Sequence, residues 1–498
     1  MTDRVIIIGA GMAGLAAAID LVARGVPVTV LERAAAPGGK MHQIEKDGFH
    51  IDAGPTVFTM RWAFERLCEH ASKNLDDYVT LKKAEVLARH AWPGSPTLDL
   101  FADHERSVDA IGEFAGRDAA HGFRSFTEDA GRIFRTLKES FITAPRPGPI
   151  ELSRRIGFMN ISDLLHMKPF TTMWRALGTH FKDPRLQQLF GRYATYCGSS
   201  PYQAPATLML VAYVEAEGVW LVDGGMTGLA KGFARMAEDL GTEIRYGTGV
   251  SEIVVESGRA AAIITDKGER ITARAVISNG DVAAFASGAL GAGVRGAATA
   301  PLPAARSLSA VTWAMAAETE GFPLAHHTVF FSDDYEAEFD AIFKHRRLPA
   351  SPTTYICANG RADDGTRIDG GPEPLMCLVN APAIGDTHTF SETEIDPCKT
   401  AMLDLLKRCG LSIRASPATK VTTPSDFATM FPGSGGAIYG QASHGWMASF
   451  QRPGARTKIP GLYMAGGSVH PGPGVPMAAL SGRQAAAALM ADRSSKAR

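Results

Sequence analysis

Val5-Ile6-Ile7-Ile8 runs straight into Gly9-Ala10-Gly11-Met12-Ala13-Gly14, and an alanine-rich stretch, Leu15 to Arg24, follows until Gly25 stops it. A continuous β-branched run is the pattern of a strand buried on both faces. The alanine-rich stretch reads as a helix. Val28-Thr29-Val30-Leu31 is a second strand, and it ends on Glu32. Each glycine in the turn has a steric task. Gly9 permits the tight turn, Gly11 lets backbone approach a pyrophosphate, and Gly14 lets the helix pack close to the strand. Ala10, Met12 and Ala13 complete a loop whose open N–H groups and helix dipole suit a phosphate. Glu32 stands 18 residues after Gly14, placed to accept from ribose hydroxyls. Strand, loop, helix, strand and acid at these spacings predict a Rossmann-type dinucleotide site.

The next residues decide between NAD and FAD. Pro37-Gly38-Gly39-Lys40 puts a second glycine pair beside a cation, the chemistry of another phosphate contact. Gly48-Phe49-His50-Ile51-Asp52-Ala53-Gly54-Pro55-Thr56 then leads into a further glycine turn. An NAD site has no use for this continuation, whereas FAD enzymes with an N-terminal Rossmann unit commonly carry it.

Composition excludes several classes. The 498 residues are 45% hydrophobic and 21% charged, an ordinary globular balance that rules out wholesale disorder. A net charge of −1 gives no field for nucleic acid. Six cysteines without CxxC spacing predict buried thiols in a reducing compartment, and no metal motif is present. No apolar run approaches the roughly 18 residues that a spanning helix needs. Val5 to Ala18 is apolar but broken by glycines, so it reads as fold and not as an export signal.

Residues 60–215 are mostly helix-patterned, and Asp223-Gly224-Gly225 opens another helix. A β-meander is predicted from Thr242–Tyr246, Val250–Val255, Ala260–Thr265 and Ile271–Ile277, with Ser257-Gly258 as a two-residue hairpin turn. Thr354–Cys357 and Met376–Asn380 are further strands. Gly461 to Gly467 is again a strand entering glycines, followed by the irregular loop His470 to Met477 and a helix over Ala478–Met490. The charged tail from Asp492 reads as disordered. The expected organisation is a discontinuous FAD-binding domain (1–75, 220–300 and 450–492), a helical subdomain (76–219) and a β-rich substrate domain (301–449).

With these motifs assembled, the chain resembles the bacterial-type carotenoid desaturases of the flavin amine oxidase superfamily over nearly its whole length. The resemblance is carried by the Gly9–Gly14 loop, Glu32, Pro37–Lys40, Asp52–Thr56, Gly436-Ala437-Ile438-Tyr439-Gly440, Gln451-Arg452-Pro453 and the Tyr463–Met477 segment. Met477 and Ser443-His444-Gly445-Trp446-Met447 are more similar to the 1-hydroxycarotenoid 3,4-desaturase branch than to phytoene desaturases, which place Gly where Met477 stands. Gly467-Ser468 lacks the acid that the superfamily often carries there, so no acidic ribityl contact is implied. The resemblance implies an α/β fold: a Rossmann-type FAD domain like those of amine oxidases, an inserted α+β substrate domain and a helical membrane-facing lid. It implies FAD contacts at Gly9, Ala10, Gly11, Met12, Ala13, Gly14, Glu32, Arg33, Gly38, Gly39, Lys40, Gly54, Pro55, Thr56, Val250, Gly466, Gly467, Val475, Pro476 and Met477.

The implied reaction is desaturation of an acyclic carotenoid by hydride transfer to flavin, with reoxidation by oxygen or quinone. Phytoene desaturation, or an amine or protoporphyrinogen oxidase of the same fold, is the alternative, and prenyl-binding escort proteins share the fold without a flavin. Because conjugation stabilises the developing allylic charge, no catalytic base is assigned. His444 and His470 are candidates either for acid–base work or for backbone hydrogen bonds. Trp220, Trp446, Phe58 and Tyr439 are candidates for a tunnel lining or for core, and Arg452 for holding a loop. A carotenoid crosses water at great cost, at roughly 0.8 kcal/mol per exposed methylene. The enzyme is therefore expected in the cytoplasm, peripherally on the inner face of a membrane. Residues 146–182, with six basic residues against two acidic ones among aromatic and aliphatic side chains, are the expected contact.

Overall fold

A computed structural model describes residues 3–46, 48–157, 168, 170–368, 370–415 and 419–496. Its first layer is a five-stranded parallel sheet in the spatial order Leu462–Met464, Ala275–Ser278, Val5–Ile8, Val28–Leu31, Glu243–Arg245. Ala275–Ser278, Val28–Leu31 and Leu462–Met464 are buried throughout, as their unbroken apolar runs require. The predicted opening unit is present: strand Val5–Ile8, helix Met12–Ala23, strand Val28–Leu31.

Two strand predictions need correction. Ile271–Ile277 is not one strand. Arg270–Thr272 closes a three-stranded antiparallel meander, while Ala275–Ser278 crosses into the parallel sheet. Glu243–Arg245 likewise joins the parallel sheet and not the meander. The meander proper holds Val250–Glu256 and Arg259–Thr265, and its turn at Ser257-Gly258 has φ of 49° and 72°, the left-handed pair that a tight hairpin demands.

The second layer is an eight-stranded sheet built on the long strand Ser309–Gly321. Glu373–Ala381, Thr354–Ala358 and His327–Phe330 follow it in antiparallel pairs, and Val86–Ala91 and Leu98–Phe101 extend the far edge. The last two strands lie inside the stretch read as mostly helical. Helices of that same stretch, Arg117–Leu137 and Pro184–Gly191 among them, cover the sheet's end through a tight phenylalanine core. Phe126 and Phe190 are 4.6 Å apart between ring centres, and Phe181 and Phe190 are 4.8 Å apart.

The closing helix runs Val475–Lys496, starting three residues earlier than predicted and continuing through the supposed disordered tail. Asp492 explains the continuation: Arg456 Nη2 reaches it at 2.9 Å and the Tyr463 hydroxyl donates to it at 2.9 Å. This helix lies on Met12–Ala23 so closely that a Cβ on Gly482 would collide with the Ala13 carbonyl. Among the described residues no helix is long and apolar enough to cross a membrane.

Candidate active site

The glycine loops from both ends of the chain meet at one place. Gly9 turns with φ of 97°, and a Cβ on Gly14 would strike the Gly9 carbonyl. Gly38 N–H donates to the Ala10 carbonyl at 2.9 Å, so the two predicted phosphate turns are joined. A Cβ on Gly39 would stand 3.4 Å from Gly11 Cα, and one on Gly54 would strike the Lys40 carbonyl. Gly466, with φ of 133°, closes from the other side, its N–H donating to Ser481 Oγ at 3.1 Å. Asn279, which the sequence reading passed over, sits between the loops. Its Nδ2 donates to the Gly9 carbonyl at 3.4 Å and stands 2.7 Å from where a Gly11 Cβ would be. Its one available signal was position: it follows a buried strand of the same sheet, as Gly9 does.

Glu32 is buried, and its carboxylate accepts from Ala10 N–H at 2.7 Å and from Ala34 N–H at 2.7 Å. It therefore braces the glycine loop, and each carboxylate oxygen keeps a second lone pair free for a further donor. Arg33 and Val250 gather on the same side. Thr248 N–H donates to the Glu32 carbonyl at 2.9 Å, and Gly249, beside Val250, lies against the Arg33 stem. Lys40 is held inward: Nζ donates to the Ile438 carbonyl at 2.6 Å, and burial lowers its pKa against the pull of Asp281. Asp52, the last residue of the strand Phe49–Asp52 before the turn at Gly54, caps the helix Gly225–Asp239 by accepting from Met226 N–H at 2.8 Å.

Beyond these loops lies a chamber of about 370 Å³. Gly54, Pro55 and Thr56 form one part of its wall, and Val475, Pro476 and Met477 another. The closing helix thus begins at the chamber with open N–H groups, a favourable end for a polarised oxygen. Most of the remaining wall is apolar, with Val329, Met376 and Leu378 from the eight-stranded sheet, Leu208 and Val211 from the helical segment and Val57 from a loop. Steric need for glycine where loops close, buried donors and the acid at the ribose position all fit a flavin dinucleotide whose ring faces this chamber. Gly9, Gly11, Gly14, Glu32, Gly38, Gly39, Gly54 and Gly466 are brought together as the sequence predicted.

The other predicted candidates divide. Trp446 and Tyr439 line the chamber, whereas Phe58 and Trp220 pack edge to face, 6.2 Å apart between ring centres, with Phe58 wholly in the core. Arg452 does hold a loop, donating to the Tyr439 carbonyl at 3.1 Å and the Gly467 carbonyl at 3.0 Å, and burial pulls its pKa down to about 10. His470 Nε2 lies 3.0 Å from the carbonyls of Phe141 and Ala144, and His444 Nε2 accepts from Ser200 N–H at 3.0 Å. Burial pushes both histidines down to about 4, so both are neutral above that pH and serve as backbone partners. Ser468 accepts from Val282 N–H at 3.1 Å, a structural use for the position that lacks an acid.

At its outer end the chamber reaches Trp446, which is 45% exposed and meets Phe170 edge to face at 5.3 Å. Phe170 is 79% exposed and Ile150 84%, while Leu152, on the same helix as Ile150, lines the chamber. The stretch 146–182 is not one exposed apolar face, because Leu152, Met173 and Phe181 are buried. Several of its cations are engaged: Arg154 and Arg155 pair with Glu151 at 2.7 and 3.1 Å, and Lys168 with Asp129 at 3.1 Å. Phe158, Met159, Leu164 and Leu165 lie outside the described residues.

A dinucleotide cradle joined to an apolar chamber defines an oxidoreductase that carries its redox chemistry on a bound flavin. The chain belongs to the flavin containing amine oxidoreductase family, whose model matches residues 12–490. It is 52% identical to hydroxyneurosporene desaturase of Rubrivivax gelatinosus, covering 100% of this chain and 95% of the relative. It is 32% identical to 4,4'-diapolycopene oxygenase of Methylomonas sp, over 98% of each chain. Among solved structures, an oxidoreductase from Methanosarcina mazei aligns with a TM-score of 0.61 at 16% identity, covering 98% of this chain and 100% of that one, and wild-type putrescine oxidase with a TM-score of 0.56 at 14% identity, over 99% of each chain. These last two share the fold.

Replacing Glu32 by Ala leaves the Ala10 and Ala34 N–H groups without their acceptor. We expect the FAD dissociation constant to rise roughly tenfold or more, from the loss of about 1.5–3 kcal/mol of charge-assisted bonding. The apoprotein should also melt at a lower temperature. Unchanged FAD affinity and melting temperature would contradict the assignment.

Proposed function

We propose that this protein is a FAD-dependent carotenoid desaturase that introduces the 3,4 double bond into an acyclic 1-hydroxycarotenoid. The observation that carries the reading is the apolar chamber running from the flavin cradle at Thr56 and Met477 to an exposed aromatic mouth at Trp446 and Phe170. A long hydrocarbon suits such a wall, and the relatives named for hydroxyneurosporene support the hydroxylated class. An amine substrate is less well served: it would seek a free carboxylate, and Glu215 in the chamber wall is already occupied by two tyrosine hydroxyls.

Bound FAD supplies acceptance of a hydride. The chain's residues position the reacting carbons. Gly54, Pro55 and Thr56 on one side and Val475 to Met477 on the other bound the space where those carbons must come within ~3–3.5 Å of the cofactor. The apolar wall excludes water, so the allylic charge forms in a shielded site. The second hydrogen leaves as a proton, passing to water at the exposed end of the chamber by Trp446. With His444 and His470 committed to backbone groups, the chain needs no dedicated base for a hydrogen whose loss extends conjugation. The electrons pass on to oxygen or to a quinone, the latter sharing the bilayer that holds the substrate. The enzyme sits peripherally on the inner face of that bilayer, and the helix bearing Ile150 and Leu152 forms a lid over the chamber mouth.

Anaerobic incubation of the FAD-loaded protein with hydroxyneurosporene should bleach the flavin and shift the carotenoid absorption to the red, with phytoene turned over far more slowly. Equal turnover of the two would remove the hydroxycarotenoid assignment. Bleaching by amines and not by either carotenoid would remove the desaturase reading.

Membrane attachment through the mouth has its own test. In liposome flotation, Ile150→Glu with Phe170→Glu should bind vesicles roughly tenfold less than wild type or worse, because each side chain contributes about 1.5–3 kcal/mol when buried. If the double variant floats as wild type does, the mouth is not the membrane contact.

A further inference from the structure

The strand Glu373–Ala381 turns Met376, Leu378 and Asn380 to one face, and all three line the chamber. The row thus runs from hydrocarbon to amide. Asn380 is partly exposed there, and its Nδ2 donates to Glu338 Oε1 at 3.0 Å. Glu338 Oε2 accepts from the Thr353 N–H at 2.9 Å. Glu338 is 1% exposed, so its carboxylate is sealed behind the wall with both oxygens engaged. A carboxylate takes only donors, which means that the Asn380 amide cannot turn over. Its other end, Oδ1, has no hydrogen-bond partner among the described residues, and unlike the partnerless oxygen of Asn359 it is not shut in the core. Several other polar groups of the wall are spent: Thr195 Oγ1 on the Arg192 carbonyl, Glu215 on two tyrosine hydroxyls and Arg452 on backbone.

Building on the desaturase reading above, we infer that Asn380 is the specificity-determining residue for the substrate's end group, its Oδ1 accepting a hydrogen bond from the hydroxyl on C1. Water can serve this oxygen while the chamber is wet. A hydrocarbon that fills the chamber displaces the water, and the oxygen is then bare unless the substrate itself donates to it. The donor must be neutral, because a cation would leave water for an apolar wall with the Glu338 carboxylate sealed off behind it. A tertiary hydroxyl meets this demand, whereas its methyl ether and the plain hydrocarbon do not.

The place suits the chemistry. Tyr355 stands opposite Leu378 across the sheet, and its hydroxyl meets Thr56 Oγ1 at 2.6 Å, where the cofactor loops reach the chamber. Asn380 lies two residues further along the strand, roughly 7 Å from Leu378. In a 1-hydroxycarotenoid the oxygen is three bonds from C3. A hydroxyl held at Asn380 therefore keeps C3 and C4 within an end group's length of that wall, and so fixes which bond meets the cofactor. Glu338 is a positioning residue that acts through Asn380: it holds the amide in the orientation that shows oxygen to the chamber. A site built around a hydroxyl rejects the analogue lacking it, because its own acceptor is then left unpaired.

The experiment compares FAD-loaded wild type, Asn380→Leu and Glu338→Gln on hydroxyneurosporene, its methyl ether and the same carotenoid without the oxygen. Turnover and carotenoid affinity (from the absorption shift on binding) are both measured. Wild type should bind the hydroxylated carotenoid best. Asn380→Leu should lose at least roughly tenfold of that preference, because it removes the acceptor and leaves hydrocarbon in its place. Glu338→Gln keeps the shape, but once the Thr353 N–H has taken its one oxygen it turns an N–H toward Asn380, and the Asn380 amide turns over. Nitrogen then faces the chamber, and the preference for hydroxyl over ether should fall. This second variant decides the matter should the first not fold. Equal affinity of wild type for the three carotenoids, a preference unchanged in Asn380→Leu, or an equal loss on all three overturns the inference, and the last outcome marks Asn380 as structural. A preference unchanged in Glu338→Gln alone overturns the role given to Glu338. Wild type that binds with the expected preference but converts none of the three overturns the desaturase reading instead, and the affinity comparison then still decides the role of Asn380.

Discussion

The structure depends on one close approach of backbone. The first helix is wedged between its own glycine loop and the closing helix, with Gly14 against the Gly9 carbonyl and Gly482 against the Ala13 carbonyl. Neither contact admits a Cβ. Helices packed this closely bring the two ends of a 498-residue chain to one spot, where Gly9–Gly14 and Gly466 both stand against Asn279. Val28–Leu31, Glu243–Arg245 and Ala275–Ser278 complete the parallel sheet around this joint, and the chamber lies between it and the eight-stranded sheet with its helices.

The polar groups around the chamber are mostly spent on holding it open. Arg452 ties the loop at Tyr439 to Gly467, His470 holds the carbonyls at Phe141 and Ala144, and His444 holds Ser200. A cation and two imidazoles that would suit acid–base chemistry in water are instead buried, depressed in pKa and bonded to backbone. A wall of this kind suits a hydrocarbon substrate, whose reaction needs positioning and exclusion of water more than proton transfer.

Much of the cofactor half was legible in the sequence because its signals are local. A buried strand, a glycine turn and a helix are written in consecutive residues, and the turn at Ser257-Gly258 is fixed by two left-handed positions. The failures are non-local. Ile271–Ile277 reads as one strand because its residues suit a strand throughout, yet the chain leaves the largely exposed meander edge Arg270–Thr272 for the buried parallel strand Ala275–Ser278 within it. Val86–Ala91 pairs locally with Leu98–Phe101, but its other partner, His327–Phe330, which ties the pair into the large sheet, is more than two hundred residues away. The tail from Asp492 reads as disordered until Arg456 and Tyr463 are seen to hold it. In the site, Arg192 and Glu215 are linked through Tyr196 across two elements, and Asn279 acts only through where its strand ends.

The most direct test of the central claim, that two glycine cradles present one flavin to an apolar substrate chamber, is a crystal structure of the protein with FAD and a hydroxylated carotenoid. The pyrophosphate should lie against Gly11, the reactive edge of the ring between Thr56 and Met477, and the carotenoid along the chamber toward Trp446. A ring seated away from this chamber, or a carotenoid bound on another surface, would contradict the account.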